Sequence, residues 1–168
     1  IGQNFRFRED TQIIKKYIDN DEIGDPYHGR AHLLRMNGIP KMGTWFTLKK
    51  LSGGGCLIDI GVHIIDLILY LMGTFDAEAV SGQVYDKFGS RDIGRGTWGM
   101  SDPEDSDVLF DVDDFASVLI KLKGGKSVIV EVSWHSYVEP CLKANVLATE
   151  GGASLNPFKI YKRVGNQC

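Results

Sequence analysis

Apolar residues recur along this chain with two different spacings. Between Ile58 and Met72 they fill most positions, and the polar residues that interrupt them, Asp59, His63 and Asp66, stand four and three apart. On a helix that spacing gathers the interruptions on adjoining positions of one side. It predicts a helix from Ser52, a candidate cap, to a stop at Gly73. A second helix is expected from Asp10 or Thr11 to about Asp19, striped by Ile13, Ile14, Tyr17 and Ile18 and ended by Gly24 and Pro26. Elsewhere the period is two. Gly2 to Arg8, Tyr27 to Met36, Phe75 to Tyr85, Phe115 to Lys123, Lys126 to His135, Leu142 to Thr149 and Phe158 to Lys162 all read as strands. Gly124-Gly125 marks a hairpin, Glu150 to Gly152 a turn, and Ala153 to Leu155 the approach to the last strand. About seven strands against two helices, joined mostly by hairpins, predict an α+β fold: a largely antiparallel, open-faced sheet with helices on one face. The bare face then needs cover, and apolar positions on both sides of the hairpin strands suit association of subunits there.

At 168 residues the chain is one domain by length, and 43% hydrophobic with 24% charged residues is ordinary for a globular protein. The net charge of -3 argues against a nucleic-acid or anionic-membrane partner. Cys56, Cys141 and Cys168 form no CxxC pair and leave one over, which fits a reducing, cytoplasmic setting. The apolar run from Ile58 to Met72 reads as too short and too ionisable to cross a bilayer. The chain begins at Ile1 within a strand-like stretch, so the natural amino terminus is expected upstream. Gly94-Arg-Gly-Thr-Trp-Gly99 is a literal GxGxxG, but it neither follows a strand nor opens a helix, so it reads as part of a long loop, 86 to 111, and not as a dinucleotide fingerprint. Trp98 in that loop could still reach an active site or a neighbouring subunit.

The chemistry concentrates on the main helix. Burying two carboxylates and an imidazole costs free energy unless they are paired, so the trio has a purpose. Three readings are open from spacing alone: a structural network, a metal chelate, or proton transfer by His63 with carboxylate support. No second convincing ligand pair accompanies the trio, since His28, His32 and His135 are scattered over strand-like stretches. The glycines at 53 to 55 let the backbone approach something closely and leave amides free at the helix entrance. The loop before them carries Trp45, Phe46, Lys49 and Lys50, where a substrate wall is expected.

The segment GGGCLIDIGVHIIDL, from Gly53 to Leu67, resembles the catalytic-helix motif of the glucose-fructose oxidoreductase / inositol dehydrogenase family, known as Gfo/Idh/MocA. Asn4 to Phe7, Ile18 to Pro26, Phe115 to Trp134 and Thr149 to Leu155 are similar to further family segments in the same order. The resemblance covers nearly the whole chain. It implies a carboxy-terminal domain of the glyceraldehyde-3-phosphate-dehydrogenase-like kind, whose sheet makes homodimers or homotetramers. It implies hydride transfer between a sugar or polyol hydroxyl and NAD or NADP. The cofactor would be held mainly by an amino-terminal Rossmann domain absent here, along with the family's Glu-Lys-Pro lysine. By the same resemblance His63 matches the general acid/base, Asp59 the substrate-orienting carboxylate, and Asp66 a supporting position that would fix the imidazole tautomer. Trp45 and Lys49 are the candidate substrate contacts, and Gly53 and Gly54 the only candidate cofactor contacts in this chain. On this reading the chain alone is inactive. Two alternatives are a non-catalytic binding or assembly domain and a metal-dependent hydrolase built on Asp59 and His63.

Overall fold

The computed structural model describes residues 2–96, 110–163 and 165. The order is α1 (Glu9–Asp19), β1 (Pro26–Leu34), α2 (Lys49–Ser52), α3 (Val62–Met72), β2 (Ala77–Tyr85), β3 (Phe115–Leu122), β4 (Lys126–Ser133), β5 (Cys141–Ala148), β6 (Gly151–Leu155) and β7 (Lys159–Lys162). The seven strands form one sheet in the order β2-β3-β4-β1-β5-β6-β7. Every pairing is antiparallel except β1 with β4, so the first strand is inserted at the centre beside a strand that comes much later.

Strand alternation decides which face is covered. In β1, Gly29, Ala31 and Leu33 are buried while His28, Arg30 and His32 are not. In β3 and β4 the buried sets are Ala116, Val118, Ile120 and Leu122, and Val128, Val130 and Val132. The buried sides of β1 and β4 meet the underside of α3, where Ile64, Leu67, Ile68, Leu71 and Met72 are all buried, and β3 continues the same core beside them. Gly29 makes that contact close: a Cβ there would stand 2.8 Å from Ile68 Cγ1. Among the described residues no helix covers the other face. Its rows run Ser117, Glu131, His32, Lys143 and Leu119, Ile129, Arg30, Asn145, which mixes charge with a few apolar side chains.

Four local expectations change, the first being that Gly151–Leu155, read as part of a turn and an approach, is itself the strand β6 between β5 and β7. The segment Gly2 to Arg8 is not a strand. It contains a 3-10 turn, Asn4–Phe7, that leads into α1. Ser52 caps no helix start. It ends the one-turn α2, its hydroxyl donating to the carbonyls of Leu48 (3.1 Å) and Gly54 (2.8 Å). The main helix begins instead after the glycines, with a π turn, Leu57–Gly61, that runs into α3 and ends at Gly73 as expected. By length and hydropathy alone, Lys49–Met72 does pass for a membrane-crossing helix, with 24 residues and a mean hydropathy of 1.9 in its most apolar window. The glycines at 53 to 55 break that run, and half of its most apolar window is buried inside the fold. Trp98 and the last positions of the GxGxxG lie outside the described residues; Gly94 and Gly96 pair with Ile39 through backbone hydrogen bonds of 3.1 and 2.8 Å.

Candidate active site

The helix entrance is built by an aspartate strap just ahead of β3. Asp113 accepts hydrogen bonds from the Gly55 amide (2.8 Å) and the Leu57 amide (2.9 Å), and its own carbonyl takes the Cys56 amide (2.9 Å). A Cβ on Gly55 would lie 1.9 Å from that carbonyl oxygen, so glycine is required there by the strap. What the glycines let approach is Asp113. The amides of Gly53, Gly55, Cys56 and Leu57 are consumed, and no cradle for a phosphate is left at Gly55 and Leu57. Neighbouring aspartates do similar work. Asp111 accepts from the Lys49 amide (2.6 Å), and the buried Asp114 from the amides of Lys87, Phe88 and Gly89. The Cys56 thiol also meets Asp113, at 3.3 Å. Burial first, and that carboxylate second, push the thiol well above its ordinary range, so Cys56 is a packed thiol and no nucleophile.

Along the upper side of the helix the polar residues each find a different partner. Asp59 sits in the π turn and accepts from the indole Nε1 of Trp134 at 2.8 Å. Trp134 is fully buried at the end of β4, and its backbone amide donates to the Asp114 carbonyl at 2.9 Å. His63 Nδ1 meets the Gln3 amide oxygen at 3.0 Å, with the Phe5 ring 5.7 Å away. Asp66 forms a two-point ion pair with Arg6, the Nε contact being 2.6 Å. That hydrogen bond holds the Arg6 guanidinium above its ordinary range. Arg6 also lies over the rings of Tyr70 and Phe75. Gln12 on α1 pins the segment by donating to the Arg6 carbonyl (2.6 Å) and the Tyr70 hydroxyl (3.1 Å).

The 3-10 geometry explains the match between segment and helix. At three residues per turn, positions three apart come to one side. Gln3, the residue just before the turn, and Arg6 within it both meet the helix, at His63 and Asp66, also three apart. An extended strand would send them to opposite sides. The π turn matters as well. Its extra residue per turn offsets Asp59 from the positions that follow, and such turns recur at functional sites. Among the described residues no hydrogen bond joins Asp59 to His63. Both keep a polar atom unclaimed, Oδ1 of Asp59 and Nε2 of His63. A carboxylate oxygen of this kind can accept a hydrogen bond, and an imidazole nitrogen can accept or donate one.

The expected support from Asp66 to the imidazole is not what the structure has: Asp66 is engaged by Arg6, and Gln3 takes the imidazole's Nδ1 instead. Trp45 stacks on Phe46 with ring centroids 3.8 Å apart and is half exposed. Lys49, Gly53 and Gly54 line a cavity of about 390 Å³ with Ile58, Tyr85 and Asp113. Among the described residues neither Trp45 nor Lys49 hydrogen-bonds to Asp59 or His63. No three His, Cys, Asp or Glu side chains converge as metal ligands among them either. His28 and His32 lie on β1 at the bare face, and His135 is buried against Phe88 and Tyr137. Sequence reasoning missed Gln3, Arg6, Asp113 and Trp134. Only Asp113 had a local signal, three aspartates in four positions before a strand, a pattern that offers acceptors to nearby amides.

Comparison with known proteins follows this geometry. Residues 11–154 match the family model described as GFO/IDH/MocA C-terminal domain. The chain is 31% identical over 158 residues to D-glucoside 3-dehydrogenase of Escherichia coli (strain K12), covering 93% of this chain and 43% of that protein. It is 30% identical over 145 residues to glucose-6-phosphate 3-dehydrogenase of Bacillus subtilis (strain 168), covering 84% of this chain and 37% of that protein. The solved structure of levoglucosan dehydrogenase with NADH and L-sorbose superposes with a TM-score of 0.74 at 23% identity, over 91% of this chain and 38% of that one. That last likeness shows the fold. The chain thus spans well under half the length of the relatives it matches.

Proposed function

Because this chain belongs to the GFO/IDH/MocA family, as a carboxy-terminal domain, we propose that it forms the substrate side of a nicotinamide-dependent oxidoreductase acting on a sugar or polyol hydroxyl. The observation that carries the reading is the pair Asp59 and His63. Each is held on one side by a partner from elsewhere in the fold, and each keeps one polar atom unclaimed. The sugar-dehydrogenase names of the curated relatives support the substrate class.

His63 takes the proton of the substrate hydroxyl during oxidation and returns it during reduction, because imidazole titrates near the operating pH. Asp59 holds a neighbouring hydroxyl and favours the imidazolium that forms. Asp66 acts at one remove, by anchoring the segment that carries Gln3. NAD or NADP supplies the hydride acceptor or donor when bound. The donor set of this chain fits the hydroxyl side of that transfer. The amides of Gly55 and Leu57, spent on Asp113, do not fit a dinucleotide phosphate. The dinucleotide is therefore assigned mainly to a preceding Rossmann domain, with Gly53, Gly54, Lys49 and Trp45 at the margin of the substrate site.

The bare sheet face, where Leu119 and Ile129 pair across β3 and β4 at 37% and 36% exposure, is the proposed surface for a homodimer or homotetramer. The unbridged Cys56 and Cys141 agree with a cytoplasmic enzyme. The test of the catalytic reading is His63→Ala in the full-length enzyme. Turnover should fall by roughly two to four orders of magnitude with the fold intact. Turnover near wild type would remove His63 from proton transfer.

A further inference from the structure

We infer that Gln3 is the positioning residue of His63: its amide oxygen accepts from Nδ1–H and so leaves Nε2 as the nitrogen that exchanges the substrate proton. The inference rests on the proposed proton-transfer role of His63. A neutral imidazole has one donor nitrogen and one acceptor nitrogen, and the partner of one decides the other. At 3.0 Å the Gln3 carbonyl oxygen can only accept, so Nδ1 carries the hydrogen. The lone pair then resides on Nε2.

Gln3 is itself held in place. The segment that carries it is fixed by the Arg6 to Asp66 ion pair and by Gln12, which donates to the Arg6 carbonyl. The Phe5 ring packs against the imidazole and limits its rotation. A neutral amide also differs in effect from a carboxylate. It selects the tautomer without adding a charge that would favour the imidazolium. The charged groups beside His63 along the helix are Asp59 and Asp66, and Arg6 on the segment that carries Gln3 pairs with Asp66.

The test uses the full-length enzyme. First, ¹⁵N chemical shifts of its labelled histidines, without cofactor, read the His63 tautomer directly, with His63→Ala to assign the signal. A hydrogen on Nδ1 is expected, and a hydrogen on Nε2 at neutral pH overturns the inference. Second, Gln3→Glu keeps an acceptor and adds a negative charge. It should move the acidic limb of the kcat/KM profile upward by about one pH unit. Gln3→Leu removes the acceptor and should lower kcat about tenfold with KM little changed, while Gln3→Asn or Gln3→Glu recovers part of that loss. An unmoved limb together with an unchanged kcat in Gln3→Leu overturns the inference. Those results are separable from failure of the functional reading, in which His63→Ala itself would keep wild-type turnover.

Discussion

Helix α3 has two sides that follow different rules. Its underside, Ile64, Leu67, Ile68, Leu71 and Met72, is buried and meets the inner faces of β1, β4 and β5. Its upper side carries His63, Asp66 and Tyr70, half-buried, with Asp59 one turn earlier, and each polar group there has its own partner. The underside is interchangeable within limits of volume, because dispersion and burial ask only for apolar shape. The upper side is not, because each group must meet one donor or acceptor at one distance. Core packing and the proposed chemistry thus occupy opposite sides of one continuous helical stretch, from Leu57 to Met72.

The largest expected effect breaks the underside. Leu67 is fully buried between the helix and the sheet. Leu67→Ala should cost about 2–5 kcal/mol, the usual range for a core cavity that cannot collapse. Chemical denaturation of the full-length protein would measure it. Under conditions where the variant stays folded, KM and the pH profile should match the parent. A variant of normal stability, or one with a displaced pH profile, would show that the two sides are not separable.

The same division explains what could be read from the sequence. The underside was legible, since apolar periodicity marks both the helix and the strands it covers, and the alternation in Val128, Val130 and Val132 marks the facing side. Asp59, His63 and Asp66 stood out as polar interruptions. Their partners did not. Gln3 and Arg6 are each 60 residues from the groups they meet, and Trp134 is 75 residues from Asp59. No local pattern encodes those separations. The alternation from Gly2 to Arg8 even pointed the wrong way, toward a strand, because so short a polar and apolar alternation cannot distinguish an extended segment from one that winds once before a helix. The central, parallel placement of β1 beside β4 was equally hidden, since hairpin signals report only neighbours in sequence.

The middle-sized effect lies at the helix entrance, where the two sides meet. Asp113→Ala would leave the amides of Gly55 and Leu57 without their acceptor. Unsatisfied, partly buried amides cost about 1–3 kcal/mol. The π turn that begins at Leu57 would lose its anchor, so turnover should fall together with stability. Asp113→Asn should recover part of both, because the side-chain carbonyl can still accept from one amide. If Asp113→Ala lowered neither the denaturation midpoint nor turnover, the strap would have no part in holding the entrance.

The smallest change in stability should give the sharpest separation of the two sides. Trp134→Phe keeps an aromatic ring under the helix but removes the indole N–H that reaches Asp59 Oδ2 at 2.8 Å, together with the five-membered part of a fully buried ring. Asp59 is partly exposed, so water can take the place of the indole N–H at its carboxylate, and the stability loss should lie at the low end of the range for a buried large-to-small change, about 1–1.5 kcal/mol. Freed from its donor, the carboxylate can rotate away from the hydroxyl it is proposed to orient. Turnover should then fall by about tenfold, with a raised KM, since positioning contributes to both binding and rate. The double variant with Asp59→Asn supplies the decisive comparison. If Trp134 acts through Asp59, removing the indole N–H from an enzyme that already lacks the carboxylate should add little. If the two losses multiply, Trp134 serves the core alone, and the orientation of Asp59 is set by something other than the end of β4.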